Sequence, residues 1–258
     1  MGNGHVGDGT EDARRVKERT MKRLRKGLTL IELVVVLAIL VALAGILVPL
    51  LSGYLERAHG ASASTNIGEL VKTIETFHHK NQTYPDGWDS LLNSTTQVPY
   101  DGIDTAELPI ASATVTVAQA GKLNAIGVTT MFRHVDGSDP RTDGTALPAI
   151  AVDDTEEVAT LTQLFVQSKF GVNANTTAVG DVYVAFGIGN RLSLVGDGMV
   201  EAPIHYSDEP GQSPALSYQR FIAVFRIPAA AGAKARLVGV LSPHGRSLNE
   251  ELNEYFVN

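Results

Sequence analysis

From Leu33 to Leu51 the chain runs nineteen residues without a polar or charged side chain. A helix of that length reaches about 28 Å, close to the thickness of a bilayer core. Just before it stand Lys22, Arg23, Arg25 and Lys26, followed by Gly27. A basic flank on one side predicts that the preceding segment stays cytoplasmic and that the rest of the chain faces outward. One carboxylate, Glu32, breaks the apolar segment near its start. At a bilayer centre such a group costs about 2.5–3.5 kcal/mol, and less near an end, so it calls for a partner or an escape to the interface. The nearest cations lie six to ten residues back. If the chain were cut after Gly27, a new α-ammonium on Leu28 would stand four residues from Glu32 and could pair with it, within one chain or between copies. The alternative is a glutamate that snorkels to the cytoplasmic interface.

The run Gly27-Leu28-Thr29-Leu30-Ile31-Glu32-Leu33 resembles the class III signal of type IV pilins and type II secretion pseudopilins. The resemblance implies that a prepilin peptidase cuts after Gly27 and methylates the new terminus at Leu28. It also implies that Glu32, the fifth residue of the mature chain, pairs with the terminus of an adjacent subunit. Pro49 falls at mature position 22, where the family often carries a helix-kinking proline. Leu28 stands where phenylalanine or methionine is commoner. The domains expected on this basis are a cleaved leader at 1–27, a transmembrane helix at 28–53 and an extracytoplasmic domain at 54–258. Met21 offers a second possible start, which would give a leader of the usual compact form. The implied partners are the prepilin peptidase, the membrane and other pilin or pseudopilin subunits. The implied location is the bacterial inner membrane, crossed once, with assembly into a periplasmic or surface fibre.

Charge narrows the functions further. The whole chain carries −7, but the first 27 residues carry +4 and the remaining 231 carry −11. An outward part this acidic lacks the cationic footprint that phosphate binding needs, so nucleic acid is not an expected partner. With no cysteine in the chain, disulfides, thiolate metal sites and thiol nucleophiles are excluded. Many adhesive type IV pilins close a C-terminal loop with a disulfide, so this absence favours the pseudopilin branch.

Beyond the apolar run the helix is expected to continue past Pro49 and Gly53, kinked rather than stopped, with a weak stretch over 58–63. Ile67, Leu70, Val71, Ile74 and Phe77 then fall on one helical face. The helix should end near Lys80, before Tyr84-Pro85-Asp86-Gly87. Residues 84–112 read as loops. Strands are expected at 114–117, 126–132, 149–152, 182–186, 192–195, 220–227 and 236–241. Asp154 and Glu157 have capping-box spacing and predict a helix whose apolar face is Val158, Leu161, Leu164 and Phe165, stopped at Gly171. Ser247 and Glu250 predict the cap of a last helix with a face of Leu248, Leu252, Tyr255 and Phe256. The fold class is therefore α+β. A long N-terminal helix, membrane-spanning in its first half, packs on a mostly antiparallel sheet that carries a helical insertion, a pilin-like arrangement.

No enzyme is read from the sequence. Gly187-Ile188-Gly189 lacks the third glycine and the following helix of a nucleotide loop. His78 and His79 are adjacent and point about 100° apart on a helix, a poor chelate. Asp153-Asp154 and Asp197-Gly198 could give oxygens to calcium, but no Asp-x-Asp-x-Asp-Gly ladder is present, and solvated turns are preferred. No nucleophile elbow or His-Glu-x-x-His occurs, and no cofactor or metal is assigned. The expected function is a structural subunit of a type II secretion pseudopilus or a type IV pilus-like fibre. A singly anchored extracytoplasmic enzyme or binding domain is the alternative. A conventional secreted protein cleaved at Ala42-x-Ala44 is a weaker one.

Overall fold

The structure is a computed structural model and describes residues 29–93, 96–100, 103–134, 149–171, 180–206 and 218–257. The chain divides into two compact units between Ser52 and Gly53. Helix α1, Leu30–Asn81, is assigned without a break through both Pro49 and Gly53. The weak stretch is helical too. Gly60, Ala63 and Ser64 are buried there, so small side chains serve close packing at that level. Below it Ile67, Leu70 and Ile74 bury fully against the sheet, as their spacing predicts.

The second unit is built on a sheet of eight strands. In chain order these are β1 (Trp88–Asn93), β2 (Ile110–Thr114), β3 (Thr130–His134), β4 (Ala149–Ala151), β5 (Glu157–Leu161), β6 (Val182–Gly187), β7 (Ile222–Ile227) and β8 (Arg236–Leu241). Three short helices join them: α2 (Val117–Asn124), α3 (Gln163–Phe170) and α4 (Leu248–Val257). β6 is the junction. On one side it pairs with β7, which pairs with β8. On the other it meets β5 along Tyr183–Ala185 and β1 at Gly187. β5 continues to β2, and β1 continues to β3 and β4. All pairings are antiparallel except β1 with β3.

Alternation along the central strands sets two cores. Val184, Phe186, Phe221, Ala223 and Phe225 join Ile67, Leu70 and Ile74 of α1 in one cluster. Tyr183, Ala185, Ile222 and Val224 join Val166 of α3 in the other. Two-sided burial explains why β6 and β7 read as continuous apolar runs.

Several elements differ from expectation, each for a local reason. Residues 84–112 hold β1 and β2 rather than loop alone. All six residues of β1 are buried, and Asp89, Ser90 and Asn93 among them hide the strand signal. The expected strand at 114–117 stops at Thr114, because Thr116 caps α2. Its hydroxyl accepts from Gln119 N–H while the Gln119 side chain accepts from Thr116 N–H. The expected strand at 126–132 begins only at Thr130, after a turn through Gly127 at φ +92°. The helix expected from Asp154 is instead a turn followed by β5. Asp153 accepts from the backbone and hydroxyl of Thr155, and Val158 and Leu161 point into opposite cores. Helix α3 starts nine residues after Asp154, capped by the Thr162 hydroxyl, and does stop at Gly171 in the left-handed region. Residues 192–195 are turns, not a strand: the Leu194 carbonyl accepts from Asp197, Gly198 and Met199. At α4 one half of the expected box is present, with Ser247 N–H and its hydroxyl donating to Glu250 at 2.8 and 3.1 Å, while the side chains of Tyr255 and Phe256 lie outside the described residues.

Candidate functional site: the N-terminal segment of helix α1

Gly27 and Leu28, and with them the expected cleavage point, lie outside the described residues, as does the side chain of Pro49. The geometry begins at Thr29. Its backbone N–H donates to Glu32 Oε2 at 2.7 Å and its hydroxyl donates to the same oxygen at 2.9 Å. Glu32 N–H donates back to the Thr29 hydroxyl at 3.3 Å. Thr29 and Glu32 therefore form a capping box, and Leu33 N–H makes the first helical bond to Thr29 O at 3.1 Å. A carboxylate in the first turn also suits the positive end of the helix dipole. The sequence reading assigned Glu32 but not Thr29 as its partner. The Thr-x-x-Glu spacing was the signal that could have found it.

From Leu30 to Val48 the helix is nineteen residues of mean hydropathy 3.1, none of it buried in the chain itself. Ile31, Val41 and Val48 are each about two-thirds exposed or more. A continuous apolar cylinder of this size cannot stay in water and needs lipid or other apolar helices around it. The helix is thus long and apolar enough to cross a membrane, with its only acid held against its own N-terminal turn.

The other candidate positions prove to be packing features. A side chain on Gly187 would overlap the Tyr218 hydroxyl, and one on Gly189 would overlap the Asp89 carboxylate. Tyr218 donates to Asp89 at 3.1 Å. These glycines admit a buried tyrosine–aspartate contact, and the strand is followed by turns rather than by a phosphate-binding helix. The His78 ring stacks on Tyr84 at 4.0 Å, with His79 turned 6.1 Å away. Asp197 pairs with Lys80 at 3.4 Å. Among the described residues no three His, Asp or Glu side chains are grouped to hold a metal.

Asp86 is the most heavily used carboxylate of the second unit. It accepts from Thr129 N–H and Thr130 N–H, both at 2.8 Å, and from the Thr129 hydroxyl at 2.5 Å. Burial pushes its pKa up, but these bonds together with one from Gly87 N–H outweigh burial and hold it below the ordinary value. Asp86 ties the end of the Tyr84-Pro85 segment to the start of β3.

The family model for the prokaryotic N-terminal methylation motif matches residues 22–48. Type II secretion system core protein G of Aeromonas hydrophila is 37% identical over 81 residues, 30% of this chain and 57% of that protein. The same core protein of Dickeya chrysanthemi is 34% identical over 82 residues, 31% of this chain and 54% of that protein. The chain thus spans a little over half the length of these curated relatives. No solved structure matches the chain significantly. The chain thus carries the prokaryotic N-terminal methylation motif on an exposed apolar helix with an α+β unit behind it, and over about 80 residues it is similar to a type II secretion system core protein.

Proposed function

We propose that this protein is a structural subunit of a type II secretion pseudopilus, stored in the inner membrane by α1 and assembled through the same helix. The observation that carries the reading is an exposed nineteen-residue apolar cylinder headed by Thr29 and Glu32, inside a matched methylation motif. In this reading a prepilin peptidase cuts between Gly27 and Leu28 and methylates Leu28. Residues 1–27 are the leader, 28–53 the membrane segment, with Pro49 accommodating its course, and 54–258 the outward domain. Assembly is with other pseudopilin subunits, and the protein works as a building block rather than a catalyst.

Glu32 has a specific part in this. In a single subunit its carboxylate is already satisfied by Thr29. When apolar helices pack together, a Leu28 ammonium on a neighbour would be costly to bury without a counter-charge. Glu32 supplies it, and the pairing fixes the axial offset between subunits. Removing one partner of a buried pair costs about 3–5 kcal/mol because the other charge is stranded.

The mass of the mature N-terminal peptide tests processing: it should begin at methylated Leu28. An uncut chain would favour an anchored enzyme or binding domain instead. Glu32→Ala should leave cleavage and membrane residence intact while crosslinked oligomers and sheared fibres fall at least tenfold relative to total mature subunit. Assembly at the wild-type level would remove this role from Glu32.

A further inference from the structure

A second cluster of titratable groups lies far along the chain from the methylation motif, where α4 docks on the second unit. His205 is 8% exposed, and Glu251 in the first turn of α4 is 1% exposed. His205 Nε2 stands 3.8 Å from Glu251 Oε1. The His244 ring lies 5.1 Å from the His205 ring at 66°, and His244 Nδ1 stands 3.6 Å from Glu107. His59 of α1 and Arg246 of the β8–α4 turn also act on His205, and Phe221 meets its ring edge-on. At the rim Lys169 of α3 pairs with Glu250 of α4 at 2.7 Å. The seam therefore joins α1, α3, the 103–108 segment, the β8–α4 turn and α4 through three histidines, three carboxylates and two permanent cations.

We propose that this seam is an acid-sensitive latch: protonation of its histidines releases α4 from the domain and uncovers the apolar flank of α1 beside it. At neutral pH the carboxylates outnumber Lys169 and Arg246. With the histidines protonated the balance reverses, and His205 then faces His244, Arg246 and His59 as like charges in a buried site, offset by Glu251 beside it and by Glu107 beside His244. Burial first, and then those neighbours, hold the His205 pKa down to about 4. A histidine kept neutral in the closed seam takes up its proton more readily when the seam opens, so acid favours opening. The first turn of α4 walls a cavity of about 600 Å³ lined by Ile67, Val71, Phe170, Val238, Val240 and Leu248. Its release widens this half-open groove into a broader apolar face. The inference is independent of the pseudopilus reading.

Hydrogen exchange of the full chain in detergent micelles, corrected for intrinsic rates at pH 7 and pH 5, tests it. Opening of residues 248–257 should rise roughly ten- to thirtyfold at pH 5, and at both pH values it should be more frequent than opening of residues 222–227 in β7. His205→Gln should remove the rise. Should that variant fail to fold, His244→Gln and His59→Gln, each removing one like charge, should each reduce it. Equal protection of α4 at both pH values, opening of α4 no more frequent than that of β7, or an undiminished rise in the variants would overturn the latch.

Discussion

Asp86 shows what a single side chain can hold. Its three short bonds to Thr129 and Thr130 are the link between the Tyr84-Pro85 turn and β3. Asp86→Ala should lower stability by about 2 kcal/mol, since two backbone N–H groups lose their acceptor, as measured by urea unfolding of the second unit. The pH dependence has a definite sign. A carboxylate whose folded pKa is depressed contributes stability that is present above its ordinary value, near 4, and is lost as pH falls through the lower folded value. The variant should therefore show a shallower loss below pH 4 than the parent. Legibility differed sharply among the residues. Asp86-Gly87 was readable as a turn, but the partners of Asp86 lie some forty residues on and leave no mark in local sequence. Glu32 announced itself by being the one charge in an apolar segment. Thr29, which holds it, passed as a motif hydroxyl although its spacing is that of a capping box.

At the scale of elements, those with strong period or composition were legible. α1, β6, β7, β8 and α4 lie where alternation, helical spacing or a serine–glutamate box put them. What failed was the set of elements whose burial contradicts their polarity. β1 is buried throughout yet contains two acid or amide side chains, so its sequence lacks both alternation and an apolar run. β5 carries Val158 and Leu161 at a spacing of three, which imitates a helix, while its pairing with β2 and β6 makes it a strand buried on both faces. Tertiary packing overrode the local signal in each case. The contact between α3 and β8 gives a test at this scale. A side chain on Gly239 would run into the Phe170 ring. Gly239→Val should force α3 away and lower the thermal midpoint of the second unit, at a cost of about 1–3 kcal/mol. An unchanged midpoint would mean that α3 rests elsewhere.

The whole molecule divides its tasks between two units that meet in sequence at Ser52 and Gly53. A chain beginning at Leu55 keeps Ala63, Ile67, Leu70 and Ile74, the part of α1 that completes one core. It should be soluble and unfold cooperatively by calorimetry, and aggregation without a cooperative transition would count against an autonomous second unit. Its stability should fall in two stages on acidification. The first, below about pH 6.5, comes from His205, whose folded pKa of about 4 lies below the ordinary histidine value. The second, below about pH 4, comes from Asp86 and Glu250, whose folded values are both depressed. His205→Gln should erase the first stage and spare the second.

The branching of the sheet at β6 has a consequence in time. Before residues 182–187 are made, the chain holds two fragments with no strand in common, β1–β3–β4 and β2–β5. Among the described strands only β6 hydrogen-bonds to both, and it in turn needs β7 and β8, which end at Leu241. A chain led by an apolar segment must therefore be made past its midpoint while the second unit has no closed core. Ribosome-stalled chains should stay protease-sensitive until Leu241 has emerged, and then become resistant in one step rather than strand by strand. The apolar segment is complete long before the unit behind it has a shape, and the last quarter of the sequence decides when that unit closes.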